Sequence, residues 1–216
     1  MKILHIDSSA RHEQSSSRLL THFFITQLEK TGQPLLIDRL DLAQTPPRHV
    51  TELQTAAMYT PPQLRTPAMI NALNESDALC DRVLNADMII CGIPMYNFGM
   101  PSTFKAFIDN IVRIGKTFDT AENGYAGFLK GKKVLIITTH GANYNPGGVM
   151  EGQDWLTPHL RSIFGFMGVE NPTFISAQPL QFEGEDAKEQ ALKEAKECLL
   201  QTACSWGFQA NSPIPA

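Results

Sequence analysis

The chain has 216 residues, 43% of them hydrophobic, which suits one domain with a substantial core. Its formal net charge of −4 argues against the basic surface of a nucleic-acid-binding protein. The four cysteines show no C-x-x-C spacing, which disfavours a zinc or iron–sulfur site. No signal sequence is evident and no run approaches about twenty apolar residues, so we expect a cytosolic protein without a membrane segment.

Strand-like and helix-like patterns alternate along the chain. Short apolar runs predict strands over residues 2–7, 35–41, 87–93, 134–138 and 173–175. Helical periodicity predicts helices over residues 15–31, 64–84, 104–114, 155–164 and 186–206. In the second helix, the expected core contacts are Ile70, Leu73 and Leu79. The polar stretch 43–63 and the glycine-rich stretch 117–131 carry no predicted element.

This alternation is typical of an α/β protein with a doubly wound sheet of five parallel strands and helices on both faces. We expect a single domain over residues 1–210 and a frayed tail over 211–216. In a sheet of strand order 2-1-3-4-5, the carboxyl ends of the first, third and fourth strands are neighbours, and ligands bind at that edge. Three loops at such ends carry unusual residues: 8–17, 94–102 and 139–148.

The first of these loops is rich in serine. Ser9 follows the first strand, and Ser15, Ser16 and Ser17 stand at the start of a helix. A helix N-terminus offers unpaired amides and a partial positive charge, so this stretch suits a phosphate. The alternative is that one serine only caps the helix. Neither G-x-x-x-x-G-K-[ST] nor G-x-G-x-x-G occurs here, which disfavours a nucleoside triphosphate or a Rossmann dinucleotide site.

The middle loop suits a flat heterocycle. We expect its backbone amides at Met95, Tyr96, Asn97 and Phe98 to donate to ring nitrogen and oxygen atoms, and its aromatic side chains to wall the ring. The alternative is that Met95 and Phe98 simply plug the top of the core. Just before this loop, Cys91 lies in an apolar run and is expected to be a small buried hydrophobe rather than a nucleophile.

The loop after the fourth strand would close the other side of the ring. It reads Thr139, His140, Gly141 and Ala142. Two interpretations of His140 stay open: a donor to the bound ring, or a solvated loop histidine.

These motifs together resemble the FMN-dependent NADH-azoreductases, also described as NADH:quinone oxidoreductases, of flavodoxin-like fold. The Met-Tyr-Asn-Phe loop with Glu-Asn-Gly downstream is the most specific part of the match. The resemblance runs from end to end of the chain, through Ser9, 15–17, 94–98, 105–109, 117–118, 122–124, 131–133 and 164–168.

The resemblance implies a homodimer with one non-covalent FMN per subunit and each active site at the subunit interface. It implies that the serines at 9 and 15–17 hold the phosphate, that residues 95–98 contact the isoalloxazine ring, and that residues 139–142 line its far side. Phe164 or Phe166 would lie near the partner subunit's flavin.

The resemblance also implies a ping-pong cycle, in which NADH or NADPH passes a hydride to flavin N5 and a quinone or azo compound then takes two electrons. No catalytic residue and no metal is expected. Two departures from the family pattern bear on the flavin environment and on substrate preference. The family's Ser-Arg-Gly-Gly is replaced at residues 139–142, and the tyrosine that often follows its Thr-Phe is absent, with Tyr125 further on.

Three other interpretations remain open at this stage. A related flavin reductase or nitroreductase would use other acceptors. A flavodoxin-like electron carrier would stabilise a one-electron reduced flavin and usually has a strongly acidic docking face, which a net charge of −4 supports poorly. A non-flavin α/β domain that binds another phosphorylated ligand would be colourless when purified.

Overall fold

The computed structural model describes residues 1–122 and 124–208. The elements alternate as predicted. The strands are β1 (Lys2–Asp7), β2 (Leu36–Asp41), β3 (Met88–Pro94), β4 (Phe118–Ala121), β5 (Gly124–Gly127), β6 (Lys133–Thr139) and β7 (Thr173–Ala177). The helices are α1 (Ser16–Glu29), α2 (Glu52–Tyr59), α3 (Pro67–Asn85), α4 (Ser102–Ile111), α5 (Leu156–Phe166) and α6 (Glu185–Ser205), with a 3₁₀ turn over Pro62–Leu64.

The main sheet has five parallel strands in the order β2-β1-β3-β6-β7. Counted within this sheet, that is the predicted order 2-1-3-4-5. The register sets Asp7 beside Gly92, and Pro94 beside Thr139. The loops that follow β1, β3 and β6 therefore leave the same edge of the sheet side by side.

Two hydrophobic clusters cover the two faces of the sheet. One joins alternate strand residues such as Ile89 and Cys91 to Phe104, Phe107 and Phe164 of α4 and α5. The other joins their neighbours on the strands to α1 and α6. All seven residues of β3 are buried, as expected for a central parallel strand covered on both faces. Cys91 is buried as predicted, and burial raises the pKa of its thiol.

The structure differs from the sequence prediction in three places. The polar stretch 43–63 contains helix α2, whose N-cap Thr51 accepts a hydrogen bond from the backbone N–H of Gln54 at 3.2 Å. The glycine-rich stretch 117–131 contains an antiparallel hairpin of β4 and β5. The expectation for Ile70 was wrong, because this side chain is 53% exposed, whereas the other two expected core contacts of α3 are buried.

The predicted frayed tail, 211–216, lies outside the described residues. No helix within residues 1–122 and 124–208 is both long and apolar enough to cross a membrane.

Candidate cofactor-binding site

The serine loop is preformed at the end of β1. Ser9, Ser15 and Ser17 are buried, and Ser16 is partly exposed. Ser15 is the N-cap of α1: its hydroxyl accepts from the backbone N–H of Arg18 at 3.4 Å and lies 3.1 Å from the hydroxyl of Ser17. Ser15 therefore caps the helix, as the alternative interpretation predicts. Capping does not account for the buried hydroxyls of Ser9 and Ser17.

The guanidinium group of Arg18 holds the backbone of this loop. Arg18 forms a bidentate ion pair with Asp41, at 2.6 and 2.8 Å. It also donates to the backbone carbonyls of Ser9 (2.7 Å) and Arg11 (2.9 Å). Burial acts to raise the pKa of Asp41, but hydrogen bonds from Arg18 and from the amides of residues 43 and 44 outweigh it, so that pKa is lowered. The pKa of Arg18 is raised, chiefly by its hydrogen bond to Asp41.

The middle loop is a tight two-residue turn. The backbone groups of Tyr96 and Gly99 exchange both hydrogen bonds, at 2.9 and 3.0 Å. The central residues Asn97 and Phe98 have φ of 49° and 68°, as in a type I′ turn. Asparagine tolerates this conformation, but phenylalanine at the second position, where glycine is usual, is strained. Such strain is typical of functional sites.

The side chains of this turn divide into two kinds. Met95 is half-buried and packs on the core, as the simpler interpretation predicts. Phe98 is 42% exposed and does not plug the core. A flat apolar surface is therefore open at the edge where ligands bind in this class of sheet.

Two hydrogen bonds join the three loops. The backbone N–H of Ala10 donates to the phenolic oxygen of Tyr96 at 3.2 Å, linking the first loop to the middle one. The backbone N–H of Met95 donates to the carbonyl of Thr139 at 2.8 Å, linking the middle loop to the third. The predicted site residues thus belong to one continuous edge.

His140 is buried, so of its two interpretations the solvated loop histidine is wrong. Its Nδ1 lies 3.1 Å from the hydroxyl of Ser176, and its ring packs against Tyr144 with centroids 5.3 Å apart. Its Nε2 lies 4.0 Å from a carboxylate oxygen of Asp154, and has no hydrogen-bond partner among the described residues. Burial lowers the pKa of His140, and the charge of Asp154 opposes this only in part. Burial therefore favours the neutral imidazole.

The rest of the third loop is tightly packed. Thr139 and Ala142 are buried. A side chain at Gly141 would begin 2.9 Å from the ring of the exposed Phe182, so a larger residue here would displace that ring. The amides of Leu180, Gln181 and Phe182 donate to carbonyls of this loop, which makes the segment 180–182 a neighbour of the site that the sequence did not reveal.

The sequence also did not predict the ion pair between Arg18 and Asp41. A cation in the first turn of a helix is repelled by the partial positive charge of the helix N-terminus. The position of Arg18 therefore indicates that it has an acidic partner. The buried surroundings of His140 gave no such signal, because Ser176 and Asp154 lie far from it in sequence.

A second group of aromatic side chains lies on the hairpin and the end of α5. Phe118 and Tyr125, from the hairpin, contact Phe166 at the end of α5, with centroids 4.6 to 5.9 Å apart. We call these three residues the aromatic group. Tyr125 is 64% exposed and Phe166 is 38% exposed, whereas Phe164 is fully buried in the core.

Comparison with known proteins identifies the family of this chain. A family model described as having a flavodoxin-like fold matches residues 1–203. An FMN-dependent NADH:quinone oxidoreductase from Nostoc sp. is 46% identical over 205 residues, which cover 94% of this chain and 99% of that protein. The chain belongs to the family of FMN-dependent NADH:quinone oxidoreductases of flavodoxin-like fold.

Solved structures agree on the fold of this NADH:quinone oxidoreductase family member. An azoreductase from Bacillus anthracis str. Sterne superposes with a TM-score of 0.86 at 22% identity, covering 95% of this chain and 99% of that chain. An FMN-dependent NADH-azoreductase from Bacillus anthracis str. Ames Ancestor, in complex with FMN, gives a TM-score of 0.81 at 21% identity, with 94% and 99% covered.

Proposed function

We propose that this protein is an FMN-dependent NAD(P)H oxidoreductase that reduces quinones by two electrons and cleaves aromatic azo compounds reductively. The observation that carries the proposal is the strained turn at Asn97 and Phe98, joined by Tyr96 to a buried serine loop on the neighbouring strand. A phosphate site and a flat-ring site side by side suit a mononucleotide. Membership of the family of FMN-dependent NADH:quinone oxidoreductases supports the same cofactor and donor.

The described residues fit FMN at both ends. The buried hydroxyls of Ser9, Ser15 and Ser17, with Ser16 and the free amides at the start of α1, would hold the phosphate. Residues 95–98 would lie along the isoalloxazine ring, and residues 139–142 would flank it. The unpartnered Nε2 of the buried His140 leaves one polar atom in that third loop for a ligand or water to satisfy.

The protein contributes placement and electrostatics. When bound, FMN would supply two-electron hydride chemistry at N5, and this chain would offer the nicotinamide and the acceptor one stacking surface in turn. The turn at Asn97 and Phe98 would hold the ring that provides this surface. His140, whose neutral form is favoured by burial, would lie beside the ring where the family pattern has an always-charged arginine. Protons can come from water, and no side chain is assigned as acid or base.

We also propose that the active unit is a homodimer. The aromatic group lies on the hairpin and the end of α5, remote in the chain from the turn at residues 96–99, and leaves Tyr125 largely exposed. Exposed contiguous aromatic side chains mark interaction surfaces. In the dimer, Phe166 would contact the flavin of the partner subunit. Phe164 cannot take this role, because its side chain is buried in the core.

The purified full-length chain tests the proposal directly. We expect a yellow protein that releases FMN on denaturation and oxidises NADH or NADPH in steady state with either menadione or an azo dye. Parallel-line initial-rate plots would support the ping-pong order. A yellow protein without steady-state turnover, stable on photoreduction in a one-electron reduced form, would favour the electron carrier, and a colourless protein would overturn the flavin site.

A further inference from the structure

The guanidinium of Arg18 is occupied almost completely by protein oxygens. Its Nε and Nη groups donate to Arg11, Ser9 and both carboxylate oxygens of Asp41, which uses four of its five N–H donors. The remaining donor is on Nη1, which lies 3.6 Å from a carboxylate oxygen of Asp7. Arg18 therefore has a single N–H that makes no hydrogen bond, and this group faces Asp7 rather than a bound anion, although Arg18 lies in the first turn of the helix that follows the serine loop.

The two carboxylates beside Arg18 would repel each other without it. Asp7 and Asp41 are register partners at the ends of β1 and β2, and both are largely buried. Asp7 is also held by the hydroxyl of Thr21 at 3.0 Å and lies 3.1 Å from His5. Like charges directly opposite each other destabilise a strand pair, and the guanidinium between them offsets that repulsion.

The bonds from Arg18 to the loop fix the direction of two peptide groups. In a trans peptide the C=O and the following N–H point opposite ways. Because the carbonyl of Ser9 faces Arg18, the N–H of Ala10 points away from it, and this N–H is the one that reaches the hydroxyl of Tyr96. The carbonyl of Arg11 also faces Arg18, so the N–H of His12 is turned away in the same manner.

We propose that Arg18, anchored by Asp41, is a positioning residue that gives the loop from Ser9 to Ser15 its phosphate-binding shape without touching the phosphate. The inference rests on the proposed FMN site. In this role, the positive charge of Arg18 neutralises Asp7 and Asp41. Its planar guanidinium orients the peptide groups of the loop. The phosphate is then held by neutral hydroxyl and amide donors.

Riboflavin separates this role from a general structural one, because it has the ring of FMN but no phosphate. The full chain is stripped of flavin, and the dissociation constants of FMN and riboflavin are measured by quenching of flavin fluorescence. The variants are Arg18→Lys, which keeps the charge but not the planar fork, and Asp41→Asn, which keeps the shape but not the charge. Glu29→Gln, at the exposed far end of α1, controls for the loss of one negative charge.

We expect Arg18→Lys to weaken FMN binding by about tenfold and riboflavin binding much less, because lysine cannot hold both carbonyls and the carboxylate together. We expect Asp41→Asn to weaken FMN binding in the same selective way. Glu29→Gln should leave both constants unchanged. Circular dichroism and thermal melts identify any variant that fails to fold, and the two variants act on opposite partners of the same pair.

Three results would overturn the inference. Equal loss of FMN and riboflavin affinity would make Arg18 merely structural. Tighter FMN binding in Asp41→Asn would show that a released Arg18 binds the phosphate itself. Equal affinities of the unaltered protein for FMN and riboflavin would remove the phosphate site, and with it the proposed function, which distinguishes that failure from the first two.

Discussion

The phenolic oxygen of Tyr96 accepts a hydrogen bond from the backbone N–H of Ala10, 86 residues away in the chain, at 3.2 Å. This contact is the side-chain link between the serine loop and the turn that would carry the flavin ring. The structure therefore assigns Tyr96 a role that its hydroxyl performs rather than its ring.

We predict that Tyr96→Phe weakens FMN binding by a factor of about three to ten, because one hydrogen bond contributes about 1 kcal/mol. Titration of the flavin-free chain with FMN measures this. The matched control is Tyr59→Phe, since Tyr59 lies on α2 and is 77% exposed. An unchanged dissociation constant for Tyr96→Phe would mean that the two loops are held together without this bond.

The positive φ of Phe98 gives a second prediction. Phe98→Gly and Phe98→Ala both remove the ring, but only glycine adopts a φ of 68° without a steric penalty. We expect the glycine variant to be more stable than the alanine variant by about 1 kcal/mol in urea unfolding of the flavin-free protein. Both should raise the KM for a quinone, because both lose the exposed ring. Equal unfolding free energies would show that the turn relaxes when the ring is removed.

The buried His140 makes stability depend on pH. Its folded-state pKa is lowered, so below its ordinary pKa of about 6.5 the unfolded chain binds a proton that the folded chain does not. The unaltered protein should lose stability relative to His140→Asn as the pH falls below that value, by at most about 1.4 kcal/mol per pH unit. Urea unfolding of the flavin-free forms between neutral and mildly acidic pH measures the difference. A constant difference would contradict the lowered pKa.

The aromatic group gives the fourth prediction. We expect Tyr125→Glu to weaken the homodimer by about thirtyfold or more, because a charge would replace an aromatic contact at a buried interface. Analytical ultracentrifugation over a range of concentrations measures this. Tyr59→Glu places the same change at a similarly exposed tyrosine on another surface. If both variants dimerise like the unaltered protein, the interface lies elsewhere.

The sequence was sufficient where local patterns carry the structure. The apolar runs before Asp7, Pro94 and Thr139 located the strand ends, and alternation with helices predicted the parallel sheet, whose strand order followed from the general rule for this class of fold. It failed for α2, because only Gln54 and Ala57 of that helix are buried and no apolar stripe results. The β4–β5 hairpin escaped for a similar reason, since its strands are four residues long and largely exposed.

At the site, the sequence located the loops but not their internal contacts. Ser15 as a cap follows from its position before the helix. The pairing of Arg18 with Asp41 depends on β2 lying beside β1, and the burial of His140 depends on β7 lying beside β6. Such contacts arise from the packing of distant segments, which a local pattern does not contain.

The three loops that Tyr96 and Met95 tie together follow β1, β3 and β6, which become neighbours only when the parallel sheet has formed. The unfolded chain accordingly has no cofactor site, and FMN binds the native state alone. Cofactor supply then acts on the folding equilibrium by mass action: each tenfold rise in free FMN above its dissociation constant adds about 1.4 kcal/mol to the unfolding free energy. A cell short of flavin would hold less of this protein in its native form, through thermodynamic linkage alone.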